Sequence, residues 1–256
     1  MATSNVESTP DPYATLEGKG KDDYNFLDIR CRRCIIHLIL VLLIALLGNE
    51  MRYIELRERF KNFTVFSLND VRSIDPGFHR RRLNDWQEKG YLRKIIKGYY
   101  MFSDTSLNEN ILFETANRIY APSYISLEMA LSYYGLVPEA VYGITSVTTR
   151  STRTSSTQIG EFSYRTLRPR LFFGYAIVEY SAGKHFMIAS PEKAVLDYFY
   201  LHPSAKKTDD FEELRFNVDS FFQHIKETTF FEYLQMFRHT SLTGRMHSFW
   251  GFMRNA

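Results

Sequence analysis

From Met51 onward the spacing of apolar positions changes several times, and each change marks an element. Leu56, Phe60 and Phe63 recur three to four residues apart among Arg52, Glu55, Arg57, Glu58 and Arg59, which predicts an amphipathic helix over 51–63. Val65-Phe66 reads as a short strand. Ser67 is a good N-cap for a helix over Leu68–Ile74, and Asp75-Pro76-Gly77 then breaks the chain, because Pro76 pushes Asp75 out of the helical region. A second helix is predicted from Phe78 to about Lys89, closed by Gly90. Its wheel places His79, Leu83, Trp86 and Gly90 inward and Arg80, Arg81 and Asn84 outward. The runs 91–96 and Tyr99–Phe102 flank Lys97-Gly98 and read as a β-hairpin. Helix, strand, helix, helix, hairpin is the order of a winged helix-turn-helix, assigned to 51–104.

Beyond this stretch the pattern mixes both periods. A helix is predicted over 106–117, a turn over 120–126, and a helix over 127–134 with Ser126 as cap and Gly135 and Pro138 as terminators. Strands are predicted over 141–148, 161–167, 171–179 and 185–189, with a polar basic loop at 149–157. Ser190-Pro191-Glu192 is a helix start with cap, proline at the first helical position and an acid in the first turn; the helix runs to about Leu201. Residues 206–210 form a charged loop. The tail over 211–254 reads as two or three amphipathic helices whose aromatics (Phe221, Phe222, Phe230, Phe231, Tyr233, Phe237) suit core stripes. The fold class is therefore α+β: a winged helix-turn-helix, then a domain over 105–256 with a small, mostly antiparallel sheet and a helical C-terminal tail. No internal repeat is visible.

Before Met51 the character differs. Residues 1–20 are polar, for which disorder is expected. Arg30-Cys-Arg-Arg-Cys34 precedes a run over 35–47 that is apolar except for His37. At about 13 residues this run is short of the roughly 20 needed to span a bilayer. Three readings stay open: a signal-anchor, a buried or partner-covered helix, or a leader over 1–50 that is not native coding sequence, with the functional chain starting at Met51. The last is preferred, with a cytoplasmic location. Cys31, Cys34 and His37 resemble metal ligands, but no second cysteine pair completes a tetrahedral site, and no metal is expected.

Composition sharpens the picture in one place. The 256-residue chain is 45% hydrophobic and 16% aromatic, enough for packed cores, and its net charge is only +3. The positive charge is local: between Gly77 and Gly98 seven Lys/Arg face Asp85 and Glu88, which favours a polyanionic partner. Arg suits guanine and Asn suits adenine, since each makes two hydrogen bonds to a major-groove edge. His79, Arg80, Arg81 and Asn84 are thus candidate base-reading residues, with Arg93, Lys94 and Lys97 on phosphates. A second candidate is the loop bearing Thr148, Thr149, Arg150 and Arg153, suited to phosphate or RNA backbone; a solvated loop explains it as well. Arg165, Arg168 and Arg170 would extend that surface.

Catalytic signals are weak. No Gly-rich phosphate loop, HExxH or GxSxG occurs. Glu179 and Lys184 are loosely spaced and read as exposed strand ends; Glu192 is explained by its helix dipole. Asp197 reads as a helix-surface residue or a buried partner to an arginine, and His185 and His202 complete no triad. No enzyme activity and no cofactor are expected.

The order of longer stretches carries a resemblance. VFSLNDV followed by RRRLNDWQEKGYLRKIIKGYYMF resembles the winged-helix part of AbiEi-type antitoxins. IYAPSYISLEMALSYYGLVPE, ITSVTTR, LFFGY and ASPEKAVLDYFYLHP, in that order, resemble the antitoxin domain of the same family. The resemblance covers roughly 51–202 and, more loosely, the tail; the leader departs from it. It implies a bacterial antitoxin of a type IV toxin–antitoxin (abortive infection, phage-defence) system. Such a protein represses its own operon by binding operator DNA. Its second domain opposes a nucleotidyltransferase-like toxin without forming a stable complex. Oligomeric state stays open. The alternatives are a nucleic-acid-processing enzyme targeted by a winged helix, a membrane-anchored transcriptional regulator, and a winged helix used for protein contacts.

Overall fold

A hairpin that is apolar on both faces sets the architecture. The computed structural model describes residues 51–138 and 143–256; the leader, with its Cys31/Cys34 pair and the run 35–47, lies outside the described residues, as do the first two positions of the strand expected at 141–148. The N-terminal part comprises α1 (Tyr53–Phe60), β1 (Phe66–Ser67), α2 (Leu68–Ile74), α3 (Arg81–Glu88), β2 (Leu92–Ile96) and β3 (Tyr99–Phe102). The three strands form a sheet in the order β1-β3-β2, both pairs antiparallel.

Local chemistry accounts for the boundaries. The Ser67 hydroxyl accepts from the Asp70 N–H at 3.2 Å, and the Asp70 carboxylate accepts from the Ser67 N–H at 2.7 Å, a reciprocal cap on α2. Asp75-Pro76-Gly77 forms the expected break, closed by a Phe78 N–H bond to the Asp75 carbonyl. Gly90 ends α3 with φ near +75°, a value glycine adopts without strain. Helix α3 begins later than the pattern predicts, at Arg81. Phe78, not His79, fills the inward position beside Leu83 and Trp86, and His79 is exposed. The wheel misplaced His79 because residues 78–80 precede the helix, which starts at Arg81.

Alternate hairpin residues enter two different cores. Leu92, Tyr100 and Phe102 join Leu56, Phe60, Phe66, Phe78, Leu83 and Trp86 in a small core. Ile95 and Met101 join a much larger core built by the rest of the chain. Residues 51–256 accordingly form one compact unit, with the hairpin sandwiched inside it.

The larger part contains α4 (Glu109–Ile119), β4 (Ser123–Ile125), α5 (Leu127–Tyr133), β5 (Ile144–Thr148), β6 (Arg153–Thr157), β7 (Gly160–Thr166), a 3-10 turn at Pro169–Leu171, β8 (Tyr175–Ser181), β9 (Lys184–Ala189) and α6 (Pro191–Leu201). The helices α7 (Thr208–Glu213), α8 (Val218–His224), α9 (Glu227–Phe237) and α10 (Thr240–Asn255) follow. The sheet order is β6-β7-β5-β4-β9-β8, with β5/β7 and β4/β9 parallel and the other three pairs antiparallel. The fold is α+β, with the expected small, mostly antiparallel sheet, here of six strands, followed by C-terminal helices.

Four expectations are corrected here. The stretch 120–126 is not only a turn: Ser123–Ile125 is a central strand, buried between β5 and β9 and too short to show a period. The loop 149–157 is half strand, because β6 is an edge strand whose polar side chains face solvent. The strand expected at 171–179 starts at Tyr175, after the 3-10 turn. The tail holds four helices, short polar breaks dividing what the pattern ran together. In the tail Phe249 packs its ring against Phe199, Phe211, Phe216 and Phe221 at 4.7 to 5.7 Å, while Phe222 is exposed. Among the described residues no helix is long and apolar enough to cross a membrane.

Candidate nucleic-acid interface

The start of α3 presents Arg80, Arg81 and Asn84 to solvent, and His79 joins them from the preceding stretch. Leu83 and Trp86 hold the opposite side of the helix in the small core. Arg82 faces the core flank, its guanidinium 5.4 Å from the Trp86 ring and 5.9 Å from that of Phe78. The connection to α2 is braced by the Arg72 Nε–H, which donates to the Phe78 carbonyl at 3.2 Å. The first turn of α3 holds no acid, so local repulsion of an anion is small.

The hairpin supplies fewer free cations than expected. Lys94 and Lys97 are exposed. Arg93 is not: its Nη2 donates to the carbonyls of Ser103 and Thr105, each at 2.9 Å, and so fastens the chain leaving β3 to β2. Removing Arg93 would therefore loosen the hairpin's exit rather than subtract a phosphate contact.

The second predicted cluster divides. Thr148 is buried; its hydroxyl donates to the Pro122 carbonyl at 2.7 Å and accepts from the Arg150 N–H at 3.1 Å, so it shapes the turn. Thr149 is half-buried beside it. Arg150 and Arg153 are exposed, and both lie over the Tyr120 ring, at 4.4 and 5.5 Å. Cation–ring contact pre-orders two guanidinium groups, and the Arg150 Nη1 also donates to the Ala121 carbonyl at 3.2 Å, so only part of its edge is left to donate. Arg170, grouped with them in the sequence, instead donates to the Phe237 carbonyl at 3.1 Å.

Two buried polar clusters escaped the sequence reading. Asp197 is wholly buried, and its partner is Lys193, one helical turn earlier on α6, not an arginine. Tyr124 and Ser126 donate their hydroxyls to the Asp197 carboxylate at 2.9 and 3.0 Å, and the Lys193 ammonium also reaches the Tyr124 hydroxyl oxygen at 2.9 Å. Rings of Phe173 and Phe237 stand about the ammonium at 5.0 and 5.1 Å. Burial pushes the Lys193 ammonium down and the Asp197 carboxyl up from their ordinary values, while their mutual attraction opposes both shifts. Ser126, expected to cap α5, gives its hydroxyl to this cluster instead. Glu192 is likewise more than a dipole partner, since its carboxylate accepts the Lys226 N–H at 3.1 Å.

The second cluster centres on Glu114 of α4, buried at 6% exposure. Its carboxylate accepts from the hydroxyls of Thr64, just before β1, and Tyr180, on β8. Arg118 lies 3.6 Å from its other oxygen and stacks over the Phe63 ring at 5.0 Å. One carboxylate thus ties the small-core layer to the large sheet. Burial, aided by Glu114, pushes the Tyr180 phenol up to about 12. Alkaline titration followed by ultraviolet absorbance should therefore show Tyr180 ionising well after exposed tyrosines. Glu114→Gln should lower that transition without returning it to the ordinary value of 10.0, because burial is the larger cause. A full return would show that the carboxylate dominates.

Among the described residues no three metal-ligating side chains gather in one place. No protein-family model matches the chain, and a search of curated proteins finds no match.

Proposed function

We propose that residues 51–104 are a winged helix-turn-helix that binds operator DNA, and that the chain is an AbiEi-type antitoxin and autorepressor opposing a nucleotidyltransferase-like toxin of a type IV system. The observation that carries the DNA-binding part is the exposure of Arg80, Arg81 and Asn84 at the start of the second of two helices joined by a tight break. A helix of that kind inserts its first turns into the major groove, where arginine and asparagine edges match base edges. The hairpin that follows offers Lys94 and Lys97 to phosphates. Arg93, tied to the Ser103 and Thr105 carbonyls, leaves the contact set; His79 stays in it from the stretch before α3. The antitoxin part rests on the ordered stretches quoted above, two of which, YIS at 124–126 and SPEKAVLD at 190–197, meet in the Lys193–Asp197 cluster. Arg150 and Arg153 are assigned to nucleic-acid backbone contact in that domain.

Fluorescence anisotropy with the full chain, its own upstream DNA and a scrambled duplex tests this at two salt concentrations. Tight, sequence-selective binding that weakens with salt is expected. Arg81→Ala should cost about 1–3 kcal/mol on the cognate duplex and much less on the scrambled one. Lys97→Ala should weaken both and flatten the salt slope by about one unit. Equal losses on both duplexes from Arg81→Ala would remove base readout by that residue, and an unchanged slope would remove the hairpin from the interface.

A further inference from the structure

An open cleft of about 450 Å³ lies between the two halves of the fold. Asp70 of α2 and Tyr99 of β3 line one side; Glu114 and Arg118 of α4 and His185 and Met187 of β9 line the other. The volume is in the range of small-molecule sites, which run to roughly 300–1,000 Å³. Its polar groups keep unused capacity facing a ligand. One Asp70 oxygen takes both bonds from Ser67, which leaves the other open. Arg118 is a third exposed, and its ion pair with Glu114 is loose, at 3.6 Å. His185 is exposed, and no hydrogen bond to its ring occurs among the described residues.

The lining carries both signs of charge. A simple anion would meet Asp70 and Glu114; a simple cation would meet Arg118. A ligand bearing both charged groups on one carbon satisfies each side at once, a carboxylate toward Arg118 and His185 and an ammonium toward the open Asp70 oxygen. Met187 supplies an apolar wall for a short side chain. We infer that this cleft is an effector site for a small zwitterion of the free amino-acid type. Resting on the DNA-binding reading, its occupancy sets the affinity for operator DNA, because the Glu114 carboxylate in its wall is also the tie between the layer bearing α3 and the large sheet.

The test is a thermal-shift titration of the full chain with glycine, L-leucine, L-glutamate and L-arginine, with acetate and methylammonium as the separated halves of the head group. At least one amino acid should raise the melting temperature in a concentration-dependent way, and neither half should. Arg118→Gln, and independently the exposed-site variant His185→Ala, should weaken that binding about tenfold, each checked for an unaltered fold by circular dichroism. Bound amino acid should then change operator affinity by a factor of about 5–150, and operator DNA should change amino-acid affinity by the same factor. No shift with any amino acid overturns the site, as does a shift that survives both variants or is reproduced by acetate. Amino-acid binding without an effect on operator affinity overturns the coupling. A chain that binds the amino acid but no DNA refutes the repressor reading while the site stands.

Discussion

Asp197→Ala is expected to destabilise the protein by about 3–5 kcal/mol, because it leaves the Lys193 ammonium buried without a counter-charge. The ammonium has no route to water: it is wholly buried among Tyr124, Phe173 and Phe237. Denaturant unfolding measures the loss as a lower midpoint at unchanged slope. The pair itself stabilises much less than that figure, since both partners lost their hydration on burial. The double variant Lys193→Met/Asp197→Leu should therefore be distinctly more stable than Asp197→Ala. It should still fall short of the parent, because the Tyr124 and Ser126 hydroxyls lose the carboxylate that accepts them. If the losses of Lys193→Met and of Asp197→Leu, each measured alone, simply add in the double variant, the two side chains do not act as a pair.

That cluster also shows where reading the sequence runs out. The Ser67 cap, the Asp75-Pro76-Gly77 break, the Lys97-Gly98 turn and the Ser190-Pro191 helix start are legible in the sequence, because each is decided by neighbours within four residues. The element order over 51–104 followed from them. What stayed hidden depended on partners far along the chain. Asp197 gave no sign whether it faced solvent or core, since its acceptors' partners lie some seventy residues away at Tyr124 and Ser126. Ser123–Ile125 is buried on both faces and too short for any period to register. Arg93 matched its neighbouring lysines in charge, and only the fold shows that two carbonyls hold it. Tyr99–Phe102 is apolar without alternation, as a strand covered on both faces must be, and this pointed to a hairpin packed against a second layer.

That two-sided burial decides the outcome of the second large perturbation. Trp86→Ala should cost about 3–5 kcal/mol, the usual range for emptying a buried aromatic site. Trp86 is 7% exposed and meets the rings of Tyr53 and Phe78, each at 5.7 Å, while Arg82 covers its face. Trp86 joins α3 to Tyr53 of α1 and to Phe78 before the helix within the small core, so emptying its site loosens α3 from its support. The hairpin keeps a second hold through Ile95 and Met101 in the large core. Loosening should therefore be confined: native-state hydrogen exchange should show α2 and α3 opening at much lower free energy, with α6 and β9 close to their original protection. On the proposed DNA-binding reading, operator affinity should fall further than in Arg81→Ala, because Arg80, Arg81 and Asn84 lose their fixed positions together. Equal loss of protection throughout residues 51–256 would instead mean that the two cores melt as one, and that the hairpin transmits the damage rather than containing it.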